Sequence, residues 1–187
     1  NLCLDFFGSP SAAEEDAGLV VHGEAGVTEW TVAAEAADRV VLTADLPYAG
    51  LRVRRSHTLA AGVATLGVET TVTNLRDRGR EIGWQEHATF GPPFLVPGVT
   101  AFDAGVAKAM VYAEPFATRH RLTLASEFTW PLGPGVDGKP VDLRVFADEP
   151  AYGDFTSQLM DPASPEAWFT ATNSNLGLTC RYAWPRA

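Results

Sequence analysis

Leu66-Gly67-Val68-Glu69-Thr70-Thr71-Val72-Thr73 alternates two kinds of side chain along an extended run. Leu66, Val68, Thr70 and Val72 share one face of an extended chain, while Glu69, Thr71 and Thr73 take the other. That period of two is the mark of a half-buried strand. Similar alternation marks Arg39 to Thr43, Leu51 to His57, Arg119 to Leu124, Val141 to Phe146, Glu166 to Thr172 and Leu178 to Trp184. In the last of these Leu178, Cys180, Tyr182 and Trp184 line one side.

Turn chemistry separates these stretches: Asn74 to Arg80 with Gly79, Gly91-Pro92-Pro93, Pro97-Gly98, Gly133 to Gly138, and Asn173-Ser174-Asn175 before Gly177. Val32 to Asp38 is Ala-rich, but it is too short for a stable helix and reads equally as an extension of the strand after Trp30. Many short strands with Gly and Pro turns, and no alternating helices, predict an all-β antiparallel sandwich with little helix. No repeat or low-complexity linker divides residues 1–187, which predicts a single domain.

A chain of 187 residues is long enough to bury a sizeable core, and 46% hydrophobic against 20% charged residues is ordinary for a globular protein. No apolar run approaches the roughly 18 residues of a membrane span, so a soluble chain without a membrane partner is expected. The net charge of −9 and only 14 scattered Lys and Arg argue against a nucleic-acid partner. Cys3 and Cys180 lie near opposite ends with no metal-type spacing, so neither a zinc site nor any other cofactor is expected. Their spacing leaves a disulfide open, but two buried reduced thiols are the favoured reading, with the cytoplasm as compartment. Asn1 carries no preceding Met or leader-like segment, and Trp184-Pro185-Arg186-Ala187 reads as a strand entering a turn, so a domain incomplete at both ends is expected.

Two histidines stand in chemically suggestive surroundings. His22 lies in Val20-Val21-His22-Gly23-Glu24-Ala25-Gly26, ahead of Glu29-Trp30, where Gly lets the backbone approach a ligand. Its alternative reading is a solvent-exposed turn histidine. His87 lies in Ile82-Gly83-Trp84-Gln85-Glu86-His87-Ala88-Thr89-Phe90-Gly91-Pro92-Pro93-Phe94-Leu95, where polar side chains among aromatics suit a cleft lining better than a dry core. The alternative there is a rim strand with Glu86 and His87 facing opposite sides. Imidazole exchanges protons readily near neutrality, and Trp84, Phe90 and Phe94 are candidates to stack on the C–H face of a sugar ring. His57, beside Arg55, and His120, between Arg119 and Arg121, read as solvated faces. Phosphate-loop, dinucleotide, serine-hydrolase and zinc-protease patterns are all missing from the sequence.

The order of these segments resembles the galactose mutarotase-like, or aldose 1-epimerase-like, family, whose fold is a large antiparallel β-sandwich. Val21-His22-Gly23-Glu24-Ala25-Gly26-Val27-Thr28-Glu29-Trp30 is similar to the family's His-Gly segment followed by Trp. Val72-Thr73-Asn74-Leu75, leading to Glu86-His87-Ala88-Thr89-Phe90, is similar to its strand pair ending in His and an aromatic. The resemblance implies that His87 acts as general acid on a sugar's ring oxygen and that His22 helps hold that oxygen. Glu86, Trp84, Phe90 and Asp154, in Tyr152-Gly153-Asp154-Phe155, would bind the sugar. Two departures stand out. No Glu follows Glu166, so the family's general base has no counterpart unless it lies beyond Ala187, and no Arg precedes Arg39. The resemblance therefore implies a divergent member: an isomerase of sugar anomers, a non-catalytic sugar-binding sandwich, or an accessory domain of a carbohydrate-active enzyme.

Overall fold

The structure, a computed structural model, describes residues 1–115, 117–147 and 153–186. It is all-β and sandwich-like, with 44% strand, 4% helix, several antiparallel sheets and no barrel. Among the described residues no helix is long and apolar enough to cross a membrane. The chain divides into two compact units, Asn1–Thr89 and Phe90–Ala187.

The first unit contains β1 (Leu2–Leu4), the short helix α1 (Ala12–Asp16), a 3-10 turn (Glu24–Gly26), β2 (Thr31–Ala36), β3 (Arg39–Leu46), β4 (Leu51–Thr58), β5 (Gly67–Asn74) and β6 (Trp84–Glu86). Strands β2 to β5 form an antiparallel meander in chain order, while β1 and β6 pair as a separate ribbon. The Ala-rich stretch after Trp30 is strand, as the extended reading had it. Helix α1 escaped the sequence reading, although Ser11 and Glu14 form a reciprocal capping box that Ser-x-x-Glu announces.

Alternation explains how the ribbon covers the sheet. Ala44 pairs with Val53, and Leu46 with Leu51, on one face, where they pack against Leu2, Leu4 and Ala25 as the buried core of this unit. Burying each of the Leu and Val side chains contributes about 1.5–3 kcal/mol. Val72, on the face expected from the opening stretch, packs partly against the same core. Val68, four residues back, is 46% exposed because it lies toward the far end of the sheet, opposite His57.

The second unit holds β7 (Thr100–Ala104), β8 (Val106–Val111), β9 (Glu127–Phe128), β10 (Leu132–Pro134), β11 (Pro140–Asp142), β12 (Thr156–Met160), β13 (Glu166–Asn173) and β14 (Leu178–Pro185). They pair as β14-β13-β7, β12-β8-β9 and β10-β11. The buried side chains include Ala109, Val111, Leu122, Ala167 and Ala171.

Two expected strands in this unit need correction. Arg119 to Leu124 is not a strand; it makes isolated bridges only, among them one from Leu122 to Gly135. The reason lies in the backbone: the N–H groups of Arg121 and Leu122 donate to the Asp154 carboxylate instead of a neighbouring strand. Val141 to Phe146 is interrupted: β11 stops at Asp142, whose Oδ1 accepts the Arg144 N–H and turns the chain, and antiparallel pairing resumes only as a bridge from Val145 to Ala101. Tertiary partners override local alternation at both places.

One cysteine also differs from expectation. Both are free, Cys3 is buried, and Cys180 is exposed on the edge strand β14 rather than buried.

Candidate functional site

The β1–β6 ribbon sets the site. Its register pairs Leu2 with Glu86, Cys3 with Gln85 and Leu4 with Trp84. The ladder continues one residue further, because the Asn1 amino group donates to the His87 carbonyl at 2.8 Å and the His87 N–H donates to the Asn1 carbonyl at 2.7 Å. Alternation then puts Cys3, Gln85 and His87 on one face, and Leu2, Leu4, Trp84 and Glu86 on the other. The opposite orientation of Glu86 and His87, the alternative weighed from sequence, is what the register gives.

His22 reaches the same face from the turn after α1. Its N–H donates to the Gly8 carbonyl at 3.0 Å, and the Gly8 N–H donates back to His22 Nδ1 at 3.1 Å. His22 has φ 65°, a left-handed conformation uncommon for a non-glycine residue and one that collects at functional sites. Gly23 follows with φ 78°, and a Cβ there would lie 2.8 Å from the Leu4 carbonyl oxygen. Only glycine lets this turn press against β1, so His22 is fixed in place.

The two imidazoles, 65 positions apart, meet nearly edge to face with centroids 5.1 Å apart. Phe7 closes the group at 4.8 Å from His22 and 5.5 Å from His87, and it remains 41% exposed. Both histidines are half-buried. The Gly8 donor settles the His22 tautomer: Nδ1 accepts, so the ring proton sits on Nε2 and that nitrogen is a donor. His87 is different, since among the described residues neither of its ring nitrogens has a hydrogen-bond partner. One ring is held as a donor and the other is open to exchange protons.

Phe7 and Cys3 were missed by the sequence reading. Cys3 lies beneath the pair, its sulfur and one nitrogen of each histidine all within 4.8 Å of one another. Phe7 carried a faint signal, because Asp5-Phe6-Phe7-Gly8 ends in the glycine that binds His22. Cys3 carried none, since its closeness to His87 comes from the pairing of the two strands.

Other members of the His-Gly segment serve the fold. Glu24 is buried, and its carboxylate accepts the N–H groups of Tyr48 at 3.1 Å and Ala49 at 2.7 Å, which ties down the β3–β4 turn. Trp30 Nε1 donates to the Ala25 carbonyl at 2.9 Å. Glu86 is held in a two-pronged ion pair by Arg55, at 2.9 and 3.1 Å, on the face away from His87. Trp84, on that same face, is 44% exposed.

Phe90 and Asp154 belong to the second unit. Phe90 stacks on Phe94 at 5.5 Å and meets Phe102 and Tyr182 edge-on. The Phe94 carbonyl is anchored there by Thr100 Oγ1 and Asn173 Nδ2, each donating at 2.7 Å from a buried side chain. Asp154 accepts Arg121 Nε at 2.6 Å as well as the backbone N–H groups of Arg121 and Leu122. Its carboxylate is thus fully engaged in structural bonds. Tyr152, the first residue of that tetrapeptide, lies outside the described residues.

His57 and His120 are not the solvated residues their basic neighbours suggested. His57 is half-buried on the sheet face it shares with Arg55, with a buried Nδ1 that lacks a partner. Burial, then the Arg55 charge, pushes its pKa below the ordinary histidine value, with Glu86 partly opposing them. His120 is half-buried and its Nδ1 lies 2.9 Å from the Leu122 carbonyl oxygen.

A cleft of about 610 Å³ in the first unit contains neither His22 nor His87. Arg76 and Arg80 line it, but Arg76 donates to the Tyr48 carbonyl and Arg80 to the Ala49 carbonyl and to Asp5. Its cations brace the fold, so volume is a poorer guide here than side-chain chemistry. No protein family, curated protein or solved structure matches this chain.

Proposed function

We propose that the chain is a carbohydrate-binding, aldose 1-epimerase-like protein that interconverts sugar anomers by acid–base catalysis at His22 and His87. The observation that carries this reading is the meeting of the two imidazoles at 5.1 Å beside the exposed Phe7 ring. Anomer exchange needs a proton delivered to the ring oxygen while the anomeric hydroxyl gives one up, for which a water molecule serves as acceptor here. His87, with both nitrogens open, suits the delivery. His22, its Nε2–H fixed by the Gly8 bond, suits a hydrogen bond to the sugar oxygen. Phe7 offers an apolar face to the C–H side of a pyranose. The uncharged sugar also suits a chain of net charge −9.

A second reading, a sugar-binding domain without catalysis, is favoured by the carboxylates. Glu24 and Glu86, the acids nearest the two histidines in sequence, are committed to the β3–β4 turn and to Arg55. Neither serves as base. The cytoplasm is the compartment proposed, supported by two free thiols.

NMR exchange spectroscopy of freshly dissolved glucose, galactose and sugar phosphates, with full-length protein at pH 7, tests both readings. Acceleration that disappears in His87→Asn supports the epimerase. Saturable sugar-dependent shifts of the His22 and His87 rings without acceleration support the binding domain. Absence of both overturns the sugar reading.

A further inference from the structure

We propose that Cys3, His22 and His87 form a binding site for a thiophilic divalent cation of the zinc class. The inference goes beyond the sugar reading and does not depend on it. One sulfur and two imidazole nitrogens converge to within 4.8 Å of one another, from β1, from the turn after α1 and from the end of β6. A mixed set of this kind matches the preference of zinc-class ions, and three protein ligands leave a fourth position for water or a further ligand.

The ligand atoms must close in to bind. Bond lengths to zinc of about 2.3 Å for sulfur and about 2.0–2.1 Å for nitrogen put tetrahedral neighbours roughly 3.3–3.6 Å apart. The surroundings permit that contraction. His87 has no competing ring hydrogen bond among the described residues. His22 has one, from the Gly8 N–H to Nδ1, and metal ligation means either displacing that donor or moving the ring proton onto Nδ1. Gly8 is half-buried, but it has φ 102° and open space where a Cβ would stand, so it can turn its N–H away. Cys3 is 1% exposed and presents its sulfur from the floor of the site. On binding, its S–H bond breaks, the sulfur–metal bond forms, and the proton leaves to solvent.

An ion held this way occupies both imidazoles, so it and a sugar exclude each other. No spacing motif announces the site, because its ligands stand at positions 3, 22 and 87.

Cobalt(II) serves as the spectroscopic probe, added to the full chain under reducing conditions, with zinc as the competitor. The expected result is one ion per chain, with a thiolate-to-cobalt charge-transfer band in the near ultraviolet that zinc abolishes. Cys3→Ala should remove that band, and His87→Gln and His22→Gln should each weaken zinc binding at least tenfold. Cys180→Ala, altered at an exposed thiol, should leave all of this unchanged. Should Cys3→Ala fail to fold, the two histidine variants and the Cys180 variant still decide the matter. The proposal is overturned if wild type shows no thiolate band, if the band is lost in Cys180→Ala, or if zinc affinity survives the histidine changes. Anomer exchange measured on the same metal-free samples reports on the sugar reading separately.

Discussion

The corner holding His22 and His87 and the ion pair of Asp154 with Arg121 are built from similar material, yet they do opposite things. Asp154 is surrounded by donors: two backbone N–H groups and the Arg121 Nε occupy both of its oxygens, and its side chain is only 10% exposed. His87 has its backbone tied on both sides to Asn1, while its ring nitrogens have no partner among the described residues. A polar group whose bonds are all made inside the fold stabilises the fold. A polar group held in position with its bonds unmade is ready for a ligand.

The sharpest way to break this contrast is to alter both sides of it. His87→Asn should lower the anomer-exchange rate by about 10²–10⁴-fold and leave the urea midpoint nearly unchanged. Asp154→Ala should do the reverse, destabilising the second unit by about 3 kcal/mol with exchange intact, because it strips partners from Arg121 and from two backbone donors. If Asp154→Ala abolishes sugar effects in a folded protein, the division drawn here fails.

Glu24 tests the same contrast inside the first unit. Glu24→Ala leaves the Tyr48 and Ala49 N–H groups without their acceptor, and chemical denaturation should show a loss of about 2 kcal/mol. Smaller again is His22→Ala, which under the proposed sugar reading removes one neutral hydrogen bond and should cost about tenfold in exchange rate.

The smallest expected effect is a pH dependence. Burial lowers the His57 pKa in the folded state, so as pH falls below about 6.5 the unfolded chain takes up the proton first. Stability is therefore lost on the acid side of neutrality, until the folded-state pKa is also passed. His57→Gln should flatten the urea midpoint between about pH 7 and pH 5; an unchanged slope would show that His57 titrates as an exposed residue.

Legibility in the sequence followed locality. Leu51 and Val53 turn inward while Arg52 and Arg54 turn outward, as alternation along a strand requires. Val72 packs on the core from the face its spacing indicated. Where a distant side chain competed for the backbone, alternation misled: Asp154 draws off the N–H groups of Arg121 and Leu122, and a run that reads as strand becomes irregular. Basic neighbours misled at His57 for a related reason. Arg55 leaves solvent to meet Glu86, 31 positions away, and His57 is covered on the same face.

Local pattern was enough to show that Arg39 to Thr43, Leu51 to His57, Glu166 to Thr172 and Leu178 to Trp184 are extended, and that His22 sits on a glycine turn and His87 among polar and aromatic residues. Those properties depend on residues a few positions apart. Long-range packing was needed to bring Cys3, Phe7, His22 and His87 to one corner, to commit Glu24 and Glu86 to the fold, and to make Asp154 a strut. The pairing of β1 with β6 fixes the first of these, since it opposes Cys3 to Gln85 and so sets His87 on the same face. No local pattern specifies a partner strand some 80 residues away; burial of Leu2 and Leu4 against β3 and β4 does.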